Sequence, residues 1–148
     1  MADIEVIVTR LQKLDVYLRR LRQLASVPLD EYLQNKDLQA IVERRLQLAI
    51  QVCIDLANYL VAHHGLRVPD AQDNVFVILG EEKVIPSDLA RRMAGMVRFR
   101  NILVHDYLEI DSAIVHKLLT TRLGDFDEFG QAMLRLFGIE RSGVEAPT

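Results

Sequence analysis

The 148-residue chain predicts an all-α fold, an up-down bundle of four to five helices, and three observations carry that reading. Apolar residues recur at spacings of three and four over long stretches, the period of an amphipathic helix. Prolines and capping residues fall where those stretches begin and stop. Only VFVIL at 75–79 has a local strand preference, and a strand with no second strand to pair with is unstable.

In residues 3–25, Ile4, Ile7, Leu11, Leu14, Leu18 and Leu21 alternate spacings of three and four, a rhythm of about 3.5 that marks a first long helix able to pack lengthwise. Val27-Pro28 interrupts it, because proline disfavours a helical residue before itself, and LDEYL at 29–33 reads as one short helical piece. Asp37 offers an N-cap oxygen for a second long helix from about Leu38 to His64. Ile41, Leu48, Val52, Leu56 and Leu60 line one side of it, Ala49, Cys53 and Ala57 are its small neighbours, and Gly65 stops it in the left-handed position. A short third helix is expected from about Asp70 to Leu79. Pro86 and Ser87 open a fourth, with Leu89, Met93, Met96 and Leu103 apolar and Gly95 giving room for a second backbone. Asp111 caps a fifth, where Val115, Leu118, Arg122, Phe126, Phe129, Met133 and Phe137 keep the period, and Gly124 and Gly130 weaken it without breaking it. Residues 1–141 then make a single domain, and the polar tail SGVEAPT at 142–148 is expected to be disordered.

The net charge of −3 and pI near 5.8 exclude a broadly basic nucleic-acid surface, so any RNA contact must be local. Two local excesses exist: Arg19, Arg20 and Arg22, and then Arg91, Arg92, Arg98 and Arg100. Their bland reading is solvated helix faces paired with carboxylates. The chain has no apolar run of the ~18 residues a membrane helix needs and opens without the basic-then-apolar order of a signal peptide, so a cytoplasmic protein with no membrane association is expected. Cys53 is the sole cysteine and lies in an apolar helical stripe, which reads as an inert buried thiol.

A di-iron bundle would need Glu-x-x-His pairs, and none of His63, His64, His105 or His116 has a glutamate three residues earlier; no metal is expected. His63 and His64 close a helix, where imidazolium favours the dipole, and His116 falls on the polar side of the last helix as a surface residue. Neither a phosphate loop nor a dinucleotide fingerprint is present, and no cofactor is expected. What remains is RNILVHDY, in which Arg100, Asn101, His105, Asp106 and Tyr107 gather five kinds of polar group into eight residues. On a continuous helix Arg100 and His105 lie about 140° apart, whereas Arg100 and Tyr107 nearly align. The helix is therefore expected to end near His105. A loop beginning there could return the imidazole to the guanidinium, or the two could converge with a second copy across a dimer. The residues equally allow a structural role, with Arg100 paired to a carboxylate, His105 capping and Tyr107 at the rim of the core.

RMAGMVRFRNILVHDYLEID resembles the signature of the HEPN superfamily, and specifically the HepT-like toxins of prokaryotic HepT/MntA toxin–antitoxin pairs. VERRLQLAIQVCIDLANYLVAHHGLRVP resembles the second helix and following turn of that family, so the likeness spans nearly the whole chain. Arg100, Asn101, His105 and Tyr107 all match the family pattern, while DAQDNVFVILGEEKVI departs from it in being more β-branched and less aromatic. The resemblance implies a HEPN-fold homodimer with two motif copies facing one cleft, acting as a metal-independent endoribonuclease on tRNA or mRNA. It also implies an MntA-like minimal nucleotidyltransferase antitoxin that transfers AMP from ATP to Tyr107. The residues suit such chemistry. Imidazole exchanges protons near neutral pH, which fits His105; a guanidinium gives paired donors to phosphate oxygens, which fits Arg100; Asn101 and Asp106 stand in support. Two other classes stay open at this point, a non-catalytic HEPN module that binds a nucleotide or assists a nucleotidyltransferase, and a plain helical interaction protein.

Overall fold

A computed structural model describes residues 3–70, 74–105, 108 and 110–141. Within them run seven helices and no strand: α1 (Ile4–Leu24), α2 (Leu29–Gln34), α3 (Lys36–His63), α4 (Val75–Glu81), α5 (Ser87–His105), α6 (Ser112–Thr121) and α7 (Leu123–Phe137). The all-α expectation holds, with the long helices α1, α3, α5 and α7 as the bundle and three short ones filling its ends.

Asp3 caps α1 by accepting from the Val6 amide, and the 3.5-residue rhythm buries Ile7, Leu11, Leu14, Leu18 and Leu21 while Ile4 stays exposed. That stripe packs along α3, which also touches α2, α4, α5 and α6 and is therefore the central element. Helix α3 is long and apolar enough by composition to cross a membrane, contrary to the expectation of no such run, but half of that stretch is buried inside the bundle. Its cap is Asn35, whose Oδ1 accepts from Leu38 N at 3.0 Å, so Asp37 sits in the first turn rather than capping it. The buried stripe begins at Val42 and runs through Leu46, Ala49, Ile50, Cys53, Leu56 and Leu60; Ile41, about 100° round the helix from Val42, is exposed instead of lining the core. Gly65 closes α3 at φ +62°, as its position predicts. Burial pushes the Cys53 thiol well above its ordinary range, which keeps it protonated and unreactive.

The strand-favouring run is helical because Val75, Phe76, Ile78 and Leu79 are all buried, and tertiary packing overrides local preference. Helix α4 starts five residues later than expected, behind Asn74, whose Oδ1 accepts from Phe76 N at 3.1 Å and whose Nδ2 donates to the Ala94 carbonyl at 3.0 Å. Residues 71–73 lie outside the described part. The close helix approach is at Gly80, where a Cβ would stand 2.6 Å from the Ala90 Cβ on α5. Gly95 does not serve that purpose, since a Cβ there would meet only the Arg98 guanidinium at 3.6 Å.

The expected single helix after Asp111 is two helices, jointed at Arg122. Thr120 and Thr121 turn their hydroxyls onto the carbonyls of His116 and Lys117, the back-bonding that bends helices, and Gly124 follows at once with its low helix propensity. The joint lets α6 pack on α2 while α7 packs on α1 and α5, with Phe129 meeting Phe76 edge-on at 5.3 Å. His116 is not a surface residue. Its Nε2 lies 2.7 Å from the Val27 carbonyl, and its ring packs 5.3 Å from that of Tyr32, fastening α6 to α2. The tail at 142–148 lies outside the described residues.

Candidate active site

The C-terminal half of α5 carries the motif, and its placement follows from how the helix is buried. Leu89, Ala90, Met93, Ala94, Met96 and Leu103 face the core, which leaves Arg100 half-buried toward α3 and puts Asn101 and His105 on the outside. Arg100 donates through Nη2 to Gln51 Oε1 at 2.6 Å and through Nη1 to Asn101 Oδ1 at 3.3 Å; its Nε is buried and without a partner. Both acceptors are neutral amides. Among the described residues no carboxylate pairs with Arg100, so the ion pair of the structural reading is not what holds it.

Gln51 is itself held. Its Nε2 donates to Asp55 Oδ1 at 2.9 Å, and Asp55 Oδ2 accepts from Arg10 Nη1 on α1 at 3.0 Å. A chain of side chains thus runs from α1 through α3 to α5: Arg10, Asp55, Gln51, Arg100, Asn101. Arg10, Gln51 and Asp55 also line a groove of about 590 Å³ between α1 and α3, together with Lys13 and Tyr17. The Arg45 guanidinium stands 5.8 Å from the Tyr17 ring centre, close enough for a cation–π contact.

His105 is the last residue of α5 and is exposed. Because the helix runs unbroken through it, the imidazole is about 140° round the axis and about 7.5 Å along it from Arg100. One copy of the chain therefore joins Arg100 and Asn101 but does not join Arg100 to His105, and the loop route for returning the imidazole is not taken. Arg98, seven residues before His105, is exposed on the same side of α5. Asp106 and Tyr107 lie outside the described residues.

Reasoning from the motif alone overlooks Gln51, Asp55 and Arg10. A signal was there: Gln47, Gln51 and Asp55 recur at four-residue intervals through an otherwise apolar stretch, which marks a polar seam on a core helix. What that seam faces cannot be read without knowing which helices adjoin it.

Comparison with known proteins matches residues 14–133 to a family model, HepT-like, described as ribonuclease HepT-like. An mRNA nuclease HepT of Shewanella oneidensis is 29% identical over 125 residues, 84% of this chain and 93% of that protein. A tRNA nuclease HepT of Aphanizomenon flos-aquae is 34% identical over 113 residues, 75% of this chain and 77% of that one. Among solved structures, a tri-AMPylated Shewanella oneidensis HEPN toxin in complex with MNT antitoxin superposes with a TM-score of 0.81 at 29% identity, covering 91% of this chain and 99% of the other.

Proposed function

The chain belongs to the HepT-like ribonuclease family, and on that premise we propose that it is the toxin of a toxin–antitoxin pair, a metal-independent endoribonuclease acting on tRNA or mRNA in the cytoplasm. The observation that carries this is the state of Arg100: a half-buried guanidinium aimed by two neutral amides, with no carboxylate on it among the described residues. Such a group binds a phosphate with paired donors and stabilises the charge that builds on phosphorus in the transition state.

The reaction divides into three tasks. The 2′-oxygen attacks phosphorus and its proton passes to a base; the bond from phosphorus to the 5′-oxygen breaks; that oxygen takes a proton. The products are a 2′,3′-cyclic phosphate and a 5′-hydroxyl. Imidazole suits either proton transfer, which assigns the proton work to His105 and the phosphate to Arg100, with Asn101 and Asp106 supporting them. Since α5 carries His105 away from Arg100 within one copy, a homodimer is the arrangement that completes the site, with the imidazole of one protomer serving the guanidinium of its partner.

Neutralisation falls to an MntA-like nucleotidyltransferase. The Tyr107 phenol oxygen attacks the α-phosphorus of ATP, pyrophosphate leaves, and the phenol proton is released. The resulting phosphodiester adds bulk and negative charge beside the groups that receive RNA, so substrate is both repelled and obstructed.

The test is incubation of the purified protein with total bacterial RNA in EDTA, beside Arg100→Ala and His105→Ala. Cleavage by the wild type alone supports the proposal; equal traces in all three samples leave only a binding or scaffolding module. With the partner enzyme and ATP added, Tyr107→Phe should keep cleaving while the wild type is silenced, and AMP transfer that persists on Tyr107→Phe would reassign the acceptor.

A further inference from the structure

Arg100 is held by an amide where a carboxylate would grip it harder, although a carboxylate stands one helical turn away. Asp55 follows Gln51 by four residues on α3, and both of its oxygens are engaged, one by the Gln51 amide and the other by Arg10. A carboxylate offers only acceptors, so Asp55 must meet the NH2 side of Gln51, which turns the amide oxygen toward Arg100. Flipping Gln51 would set oxygen against oxygen at Asp55 and NH2 against guanidinium at Arg100. The amide is therefore locked in one orientation by a charge that is itself matched to Arg10.

The consequence is electrostatic as well as geometric. A carboxylate directly on Arg100 would form an ion pair that RNA phosphate must displace. An amide oxygen fixes the guanidinium with a dipole and leaves its unit charge available, while the carboxylate behind that amide, Asp55, is already engaged by Arg10. Resting on the ribonuclease reading, we propose that Gln51 and Asp55 are positioning residues for the reaction, with Arg10 as their anchor on α1: they set the Arg100 guanidinium for the scissile phosphate without neutralising it. Neither is expected to touch RNA chemistry directly. The device joins residues 45 and 49 positions apart in the chain, and so belongs to the assembled bundle rather than to the motif.

The experiment uses the full chain and, as purified substrate, the RNA species it cleaves in total bacterial RNA, with kcat and KM measured separately and a thermal melt for each variant. Gln51→Met, which keeps length but loses both hydrogen bonds, should lower kcat about a hundredfold, the scale of a misplaced catalytic group, with KM changed far less. Asp55→Asn, nearly isosteric, should give a smaller loss in the same parameter by freeing the Gln51 amide to turn. The decisive variant combines Gln51→Glu with Asp55→Asn. Net charge is kept, each hydrogen bond can be remade, and the carboxylate now sits on Arg100; the melting temperature should hold while kcat falls about a hundredfold as for Gln51→Met. Wild-type kcat in the swapped variant, or a lowered melting temperature with unchanged kcat in Gln51→Met, would overturn the positioning role and leave the ribonuclease reading intact so long as Arg100→Ala is inactive. Should the wild type cleave no RNA, or Arg100→Ala cleave as well as wild type, the proposed function fails and takes the positioning role down with it.

Discussion

Arg92 and Arg100 stand eight residues apart on α5 and belong to one basic run, yet the bundle treats them in opposite ways. Arg92 donates to Asp88 at 3.0 Å, to Asp125 at 2.7 Å and to Glu128 at 2.6 Å, and its side chain is only 18% exposed. Three carboxylates close around one guanidinium and tie α5 to α7. The hydrogen bonds it donates to Glu128 and Asp125 push Arg92 further above its ordinary range, and Arg92 in turn holds the Glu128 carboxyl below its own. Among the described residues Arg100 meets amides alone. A cation matched by carboxylates is spent on the fold; a cation aimed by amides keeps its charge for something that has yet to bind.

If that contrast is right, the two arginines should separate cleanly in experiment. Arg100→Ala should lower RNA cleavage by roughly 10²–10³-fold, the loss seen when one preorganised donor to developing charge is removed, with little change in melting temperature. A large fall in its melting temperature would erase the distinction. Arg92→Ala should do the reverse: it leaves Asp125, whose side chain is 10% exposed, with only the Arg122 guanidinium at 4.0 Å, and should cost about 2–3 kcal/mol of stability, less than a fully buried pair because Asp88 and Glu128 remain solvated. Cleavage by the protein that is still folded should be unchanged, as measured well below the transition.

Gly80→Ala sharpens the point without touching either charge. Its methyl would land 2.6 Å from Ala90 Cβ and force α4 off the Arg92 end of α5, so a loss of about 1–3 kcal/mol is expected in chemical unfolding, with kcat preserved. The smallest effect is in acid. The folded-state pKa of Glu128 is depressed, chiefly by its hydrogen bond from Arg92. Its contribution is therefore fully present above the ordinary carboxylate value of 4.5 and is lost as pH falls through the lower folded value. Urea unfolding followed downward from pH 4.5 through that lower value should show the wild type losing stability with a steeper pH slope than Arg92→Ala, and equal slopes would remove the linkage.

Much of this architecture was legible in the residues. The heptad rhythm of α1 and the stop at Gly65 rest on local rules, and local rules act wherever the neighbours in sequence are also the neighbours in space. The departures arose where distant packing intervened. The late start of α4 is set by Asn74, whose amide also reaches the Ala94 carbonyl on α5, and His116 is drawn inward by Val27 and Tyr32; the bend at Arg122 is the local exception, where the Thr120 and Thr121 hydroxyls turn onto carbonyls one turn back. The motif itself could be picked out from type and spacing. Its meaning could not, because an arginine paired with carboxylates and an arginine held by amides are the same letter in the chain.

Periodicity and capping were enough to settle that the protein is helical, roughly where each long helix runs, and that RNILVHDY is where its polar chemistry collects. Which arginine is held by amides and which by carboxylates was decided only by the packing of the helices, which brings Gln51 to Arg100 and Arg10 to Asp55 across about fifty residues. The physical reason is range: helix formation is governed by contacts three and four residues apart, whereas the fate of a charge depends on whatever group the fold places within about 3 Å of it.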